Sequence, residues 1–191
     1  MGLDRRIGRA FLDAGIGFGG FCLPKDLQAF VRIGEKHGCD FSLLREVERI
    51  NAERIDMALK KLQNHLGSVR GRTVAVLGLA FKPNTDDIRF APSLELIQRL
   101  LKEQATVKVY DPKAMPKAQR IVRSVEFCAD AYEAADGADA AVIVTEWEEF
   151  RRLDLLQVKE RMRRPLIVDG RNIFDRRLMA SLGIDYEGIG R

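Results

Sequence analysis

The sequence predicts an α/β protein in which a mostly helical segment precedes a parallel sheet covered on both faces. Three observations predict it. Short apolar runs at 73–78, 106–110, 140–145 and 166–168 have the length and β-branched content of buried strands. Helical patterns follow at 92–102, 129–135, 148–162 and 175–181, as the crossovers of a parallel sheet require. Ahead of them, 24–37 and 42–66 carry apolar residues at helical spacing.

In order along the chain, residues 1–22 form a basic lead-in and a glycine-rich loop. Leu27, Phe30, Val31 and Ile33 supply the apolar positions of the first helix, and Gly38 is its stop. The second helix, 42–66, shows one stripe of Leu44, Val47, Ile55, Ala58, Leu62 and Leu66, closed by Gly67. At 1.5 Å per residue it would be roughly 37 Å long. A small domain needs no such length for itself, so the helix is expected to bridge domains or pack on its own copy, with an ordinary core helix as the alternative the stripe leaves open. The change of character after Gly71 divides the chain into 1–68 and 69–191. Within the second part, the strands end at Gly78, at Asp111-Pro112 and at Asp169-Gly170. The stretch 148–162 reads as one amphipathic segment.

Composition narrows the function. With 191 residues, 46% of them hydrophobic and 31% charged, the chain can bury a core of ordinary size. Its 32 basic residues are interleaved with 28 acidic ones, which argues against a nucleic-acid surface. Cys22, Cys39 and Cys128 are odd in number and widely spaced, and His37 and His65 are the only histidines. That pattern opposes a metal site and favours reduced thiols. No apolar run reaches membrane-spanning length and no signal-peptide core opens the chain, so a cytoplasmic location is expected.

The chemistry concentrates in GIGFGGFCLPKD, residues 15–26. Glycines let a backbone approach a ligand closely. Pro24 suits the first turn of a helix, which would place Cys22 beside a helix N-terminus that favours a thiolate. Lys25 adds a cation and Asp26 a base. Those are the ingredients of a nucleophilic cysteine, although a cysteine after a glycine loop can also be a plain packing residue. A second concentration lies at the strand ends, where Lys82, Arg89 and Arg171 would form a cationic rim for a phosphate or diphosphate. Gly78-Leu79-Ala80 does not supply the G-x-G-x-x-G of a dinucleotide cradle, so the sheet is a poor site for NAD.

GIGFGGFCLPKD, VLGLAFKPNTDDIR and VDGRN, in that order, resemble the UDP-glucose/GDP-mannose dehydrogenase family of nucleotide-sugar dehydrogenases. The resemblance implies a Rossmann-like UDP-binding domain after a partial dimerisation domain. It further implies an NAD-dependent, two-step oxidation of a sugar C6 alcohol to a carboxylate, UDP-glucose to UDP-glucuronate. Cys22 falls at the family's nucleophile, which forms a thiohemiacetal and then a thioester. Asp26 falls at an aspartate that handles water and protons. Arg6, Phe11, Phe18, Gly19, Gly20, Lys82 and Arg171 fall at substrate contacts, with Arg6 reaching toward a neighbouring subunit. Lys25 and Arg89 fall on the cofactor side. Phe21 departs from the serine common before the cysteine. The match covers roughly the C-terminal 45% of a family member. The NAD domain is therefore expected outside this chain, the isolated chain is expected to be inactive, and the 42–66 helix is expected to join a homodimer. A GDP-mannose relative and a non-catalytic nucleotide-binding or dimerisation module are the competing readings.

Overall fold

The computed structural model describes residues 1–9 and 12–190. Two helices come first, α1 (Cys22–Lys36) and α2 (Ser42–Leu66). Then follow β1 (Thr73–Leu77), α3 (Pro92–Lys102), β2 (Thr106–Tyr110), α4 (Met115–Ile121), β3 (Glu126–Phe127), α5 (Ala131–Ala135) and β4 (Ala140–Ile143). The chain continues through α6 (Glu148–Arg151), α7 (Leu155–Arg161), β5 (Leu166–Asp169), α8 (Arg176–Ser181) and β6 (Asp185–Gly188).

The six strands form one all-parallel sheet in the order β3-β2-β1-β4-β5-β6. β1 is central, with Val76 opposite Val109 on one side and Val142 on the other. Because crossover helices cover both faces, β1, β4 and β5 are apolar at successive positions rather than alternate ones, and every position but Thr73 is buried. The chain order reverses between β1 and β4, which makes the crevice beyond their carboxyl ends the topological switch point.

The long helix is divided in its environment. Ile55, Ala58, Leu59, Leu62 and Leu66 are buried, and this half packs on α3 and β5. Lys61 and His65 are also bound to Glu187 of β6, at 2.6 and 3.2 Å. The first half is different: Leu44 and Val47 are only half-buried, and Leu43 and Ile50 are exposed at 74% and 42%. The stripe read as continuous is therefore core only from Ile55 onward.

Two further corrections concern boundaries. The first helix begins at Cys22, not at Pro24. The stretch 148–162 is two helices, because Asp154 accepts from Leu156 N and Gln157 N and so starts a new one.

Candidate functional site

The loop before Cys22 has no regular structure of its own and takes its path from three neighbours. Ile16 is fully buried and its N–H donates to Gly170 O at 2.8 Å, beyond the end of β5. Gly20 N donates to Arg89 O at 3.0 Å, in the β1–α3 crossover. Between them, the Asn51 side chain of α2 binds Phe18 twice, accepting from its N–H at 2.8 Å and donating to its carbonyl at 3.0 Å. The glycines are needed for these approaches. A Cβ at Gly19 would collide with Phe90 O, and one at Gly20, where φ is +83°, would come within 2.7 Å of the Phe81 ring.

Cys22 is the first residue of α1 and is exposed. Among the described residues, no side chain caps that helix N-terminus. Lys25 and Asp26, one turn on, form an exposed ion pair at 3.0 Å. The Arg89 guanidinium stacks 4.7 Å from the centre of the Phe21 ring, while the Lys25 ammonium lies 5.4 Å from it. Arg89 is also bound through Nε and Nη2 to Asp87. That bond does most to raise the arginine's pKa, with smaller help from the charges of Asp87 and Cys22. The other two thiols differ from Cys22. Cys39 is exposed beyond α1, and the Cys128 thiol is pushed up to about 11, chiefly by burial.

The three rim cations are not equivalent. Lys82 is exposed and, among the described residues, has no ion-pair partner; it lies over the Phe81 ring at 5.4 Å. Arg89 is committed to Asp87. Arg171 is mostly enclosed, with 16% of its side chain exposed. Its Nε donates to Val144 O at 2.8 Å and its Nη1 to Gly17 O at 3.2 Å. Glu146 Oε2 stands 3.2 Å from the same Nε as an ion pair without a hydrogen bond of its own. Burial lowers the Arg171 pKa, against the opposing charges of Glu146 and Asp169. One edge of this arginine lines a cleft of 460 Å³ shared with Arg9, Asp13, Arg151 and Asn172. A larger cleft of 530 Å³, lined by Asp56, Arg70, Arg99 and Lys102, sits at the opposite end of the sheet and meets none of these groups.

Arg6 is exposed, held by Asp4, and joins none of these contacts among the described residues. Phe11 lies outside the described residues. Asp169 and Asn172 of the VDGRN turn are structural. Asp169 is fully buried and accepts from Arg171 N, Phe174 N and Tyr186 Oη. Asn172 donates to Ala14 O and Ile189 O.

At the switch point the crevice is filled by the protein itself. Asp111, 1% exposed at the end of β2, accepts at Oδ2 from Leu79 N, Ala80 N and Trp147 Nε1. Its Oδ1 accepts from Lys113 N and Ala114 N. Thr145 and Ser93 hydroxyls take the carbonyls of Ala80 and Leu79. The amides that would cradle a pyrophosphate in a dinucleotide fold are therefore already occupied by a carboxylate. The residues present do not fit NAD at this crevice. Among the described residues there is also no cluster of His, Cys, Asp and Glu able to hold a metal ion, and no helix long and apolar enough to cross a membrane.

Asn51 escaped the sequence reading, and Asp111 was read there as a strand end and not as the acceptor of buried N–H groups. Asn51 had a signal: it stands four residues after Val47 and four before Ile55, a polar side chain in register with the apolar stripe.

A doubly wound parallel sheet with a glycine–cysteine loop pinned across its strand ends defines a nucleotide-binding α/β protein of Rossmann type. Family models agree. Residues 75–176 match the UDP-binding domain of the UDP-glucose/GDP-mannose dehydrogenase family, and residues 1–53 match its central domain. The chain belongs to this family. UDP-glucose 6-dehydrogenase TuaD of Bacillus subtilis is 46% identical over all of this chain and 42% of its own length. A UDP-glucose 6-dehydrogenase of Pseudomonas aeruginosa is 45% identical over all of this chain and 44% of its own. The structure of a UDP-glucose dehydrogenase from Pyrobaculum islandicum superposes with a TM-score of 0.86 at 41% identity, covering 98% of this chain and 41% of that one. The chain thus spans less than half the length of the relatives it matches.

Proposed function

We propose that this chain carries the nucleophile and the nucleotide site of an NAD-dependent UDP-glucose 6-dehydrogenase, divided as 1–68 and 69–191. The observation that carries the reading is the loop 15–20, tied to the ends of β5 and of the β1–α3 crossover, which delivers Cys22 to the first turn of α1. The Cys22 thiolate adds to the C6 aldehyde of the sugar, forming a C–S bond and a thiohemiacetal whose oxygen takes up a proton. Loss of hydride from that carbon, with release of the oxygen's proton, gives a thioester, and water cleaves it to the carboxylate with return of the thiol. The hydride acceptor does not sit at the switch-point crevice, where Asp111 already takes the amides of Leu79 and Ala80.

Asp26 receives the proton from the attacking water, with Lys25 beside it toward the cofactor side. Lys82 supplies a cation for the nucleotide diphosphate, and Arg171 a further contact to the substrate. Phe18, Gly19 and Gly20 line the sugar pocket, with Phe11 and, from a second copy, Arg6. Arg89 steadies the cofactor side. A homodimer forms through α2, whose first half leaves Leu43 and Ile50 uncovered. The free thiols of Cys22, Cys39 and Cys128 fit a cytoplasmic enzyme.

The test uses the chain itself. Incubated with the UDP-sugar C6 aldehyde, it should show a thiohemiacetal adduct in its native mass spectrum, absent from Cys22→Ala. With UDP-glucose and NAD it should form no NADH. An adduct-free wild type overturns the nucleophile assignment, and sustained NADH formation overturns the inactivity of the isolated chain.

A further inference from the structure

The contact between Asn51 and Phe18 is unlike the other anchors of the loop. Ile16 and Gly20 are each held by one backbone hydrogen bond, whereas Phe18 has both its N–H and its carbonyl satisfied by one carboxamide. An amide side chain is the one type of this size that presents an acceptor and a donor side by side. Aspartate would keep the acceptor and set a negative charge against the Phe18 carbonyl. Leucine would remove both bonds and leave two polar groups unpaired in a half-buried place. The preceding residue is shaped to the same contact: Gly17 has φ +106°, and a Cβ there would lie 2.9 Å from Asn51 Oδ1.

We propose that Asn51 is a positioning residue for the Cys22 thiol. It fixes the peptide of Phe18, and with it the path of Gly19 and Gly20 into the first turn of α1. Its catalytic meaning rests on the reading of Cys22 as nucleophile, but its hold on the loop is measurable without turnover.

Three measurements on the whole chain test it: hydrogen exchange at the Phe18 amide, alkylation of Cys22 by iodoacetamide with Cys39 as internal reference, and the urea midpoint. Asn51→Leu is expected to speed Phe18 exchange by about tenfold or more, since an intramolecular bond is lost without replacement. It should slow Cys22 alkylation about threefold relative to Cys39, because the thiol no longer holds one place against the helix N-terminus. Asn51→Asp keeps the acceptor and should leave Phe18 exchange within about threefold of wild type, with an intermediate alkylation ratio. A purely structural role would move the midpoint and both cysteines together. Unchanged exchange and an unchanged Cys22 to Cys39 ratio in both variants overturn the proposal. So does an Asn51→Asp chain that exchanges at Phe18 as fast as Asn51→Leu. Failure of the aldehyde adduct in the wild type would sink the nucleophile reading and leave the exchange result standing.

Discussion

The first fifty residues and the sheet that follows β1 solve opposite problems. The sheet buries its own apolar surface, from Val74 through Leu166 to Ile189. The leading segment does not. Of the large apolar side chains that are exposed, Leu3, Ile7, Phe21, Leu23, Phe30, Ile33, Leu43 and Ile50 all precede residue 51, and among the described residues there only Ile16 joins the core cluster. The difference teaches that the sheet holds its own core while the loop bearing Cys22 borrows its support. The part that carries the thiol is the part least able to hold its own shape, and it is held by contacts with α2 and the strand ends.

Substitutions can break or sharpen that contrast. Asp111→Ala should have the largest effect, a loss of about 3 kcal/mol or more in urea unfolding, because five N–H donors lose their acceptor in a buried place. Phe150→Ala, removing a fully buried side chain, should cost about 3–5 kcal/mol by the same measurement. If either leaves the midpoint unmoved, the sheet is not the stable body described here.

Gly20→Ala should cost about 1–3 kcal/mol, from a positive φ and a Cβ driven into the Phe81 ring. Its sharper signature is an altered Cys22 alkylation rate with native circular dichroism. Glu187 tests the tie between α2 and the sheet. The hydrogen bond from Lys61, with His65 adding to it, holds this carboxyl below its ordinary value of 4.5. The stabilisation is complete above that value and is lost as pH falls through the lowered one. Glu187→Gln should therefore lower stability by about 1 kcal/mol at neutral pH and flatten the acid limb of a pH-stability curve. A parallel shift at every pH would refute the linkage. Phe30→Ala should change the unfolding midpoint by no more than about 0.5 kcal/mol, the ordinary range for an exposed position.

The sheet was the more legible region for a physical reason. Buried parallel strands are continuous apolar runs, so 106–110 and the helix from Pro92 to Lys102 could be read to the residue. What escaped lacked that signal. β3 is two residues long, and β6, Asp-Tyr-Glu-Gly, alternates charge along a sheet edge. α4 opens at Met-Pro with little apolar pattern, and α7 begins at a capping aspartate inside a run that looks unbroken. At the site, Cys22 and its glycines were legible because loop chemistry is local. Arg171 was read as a free cation, and only the fold shows its Nη1 given to Gly17. Asn51 and Phe18 lie 33 positions apart, and nothing local to either names the other.

The loop's borrowed shape also sets when it can form. Arg171 reaches Gly17 across 154 positions and Asn172 reaches Ala14 across 158, nearly the whole chain. Contacts closing loops of that length form late, after more local pairings have brought the ends together. During synthesis the thiol segment is made well before the turn after β5. Until that turn arrives, the loop before Cys22 lacks its ties to Gly170, Arg171 and Asn172. The complete arrangement around Cys22 is a property of the finished molecule.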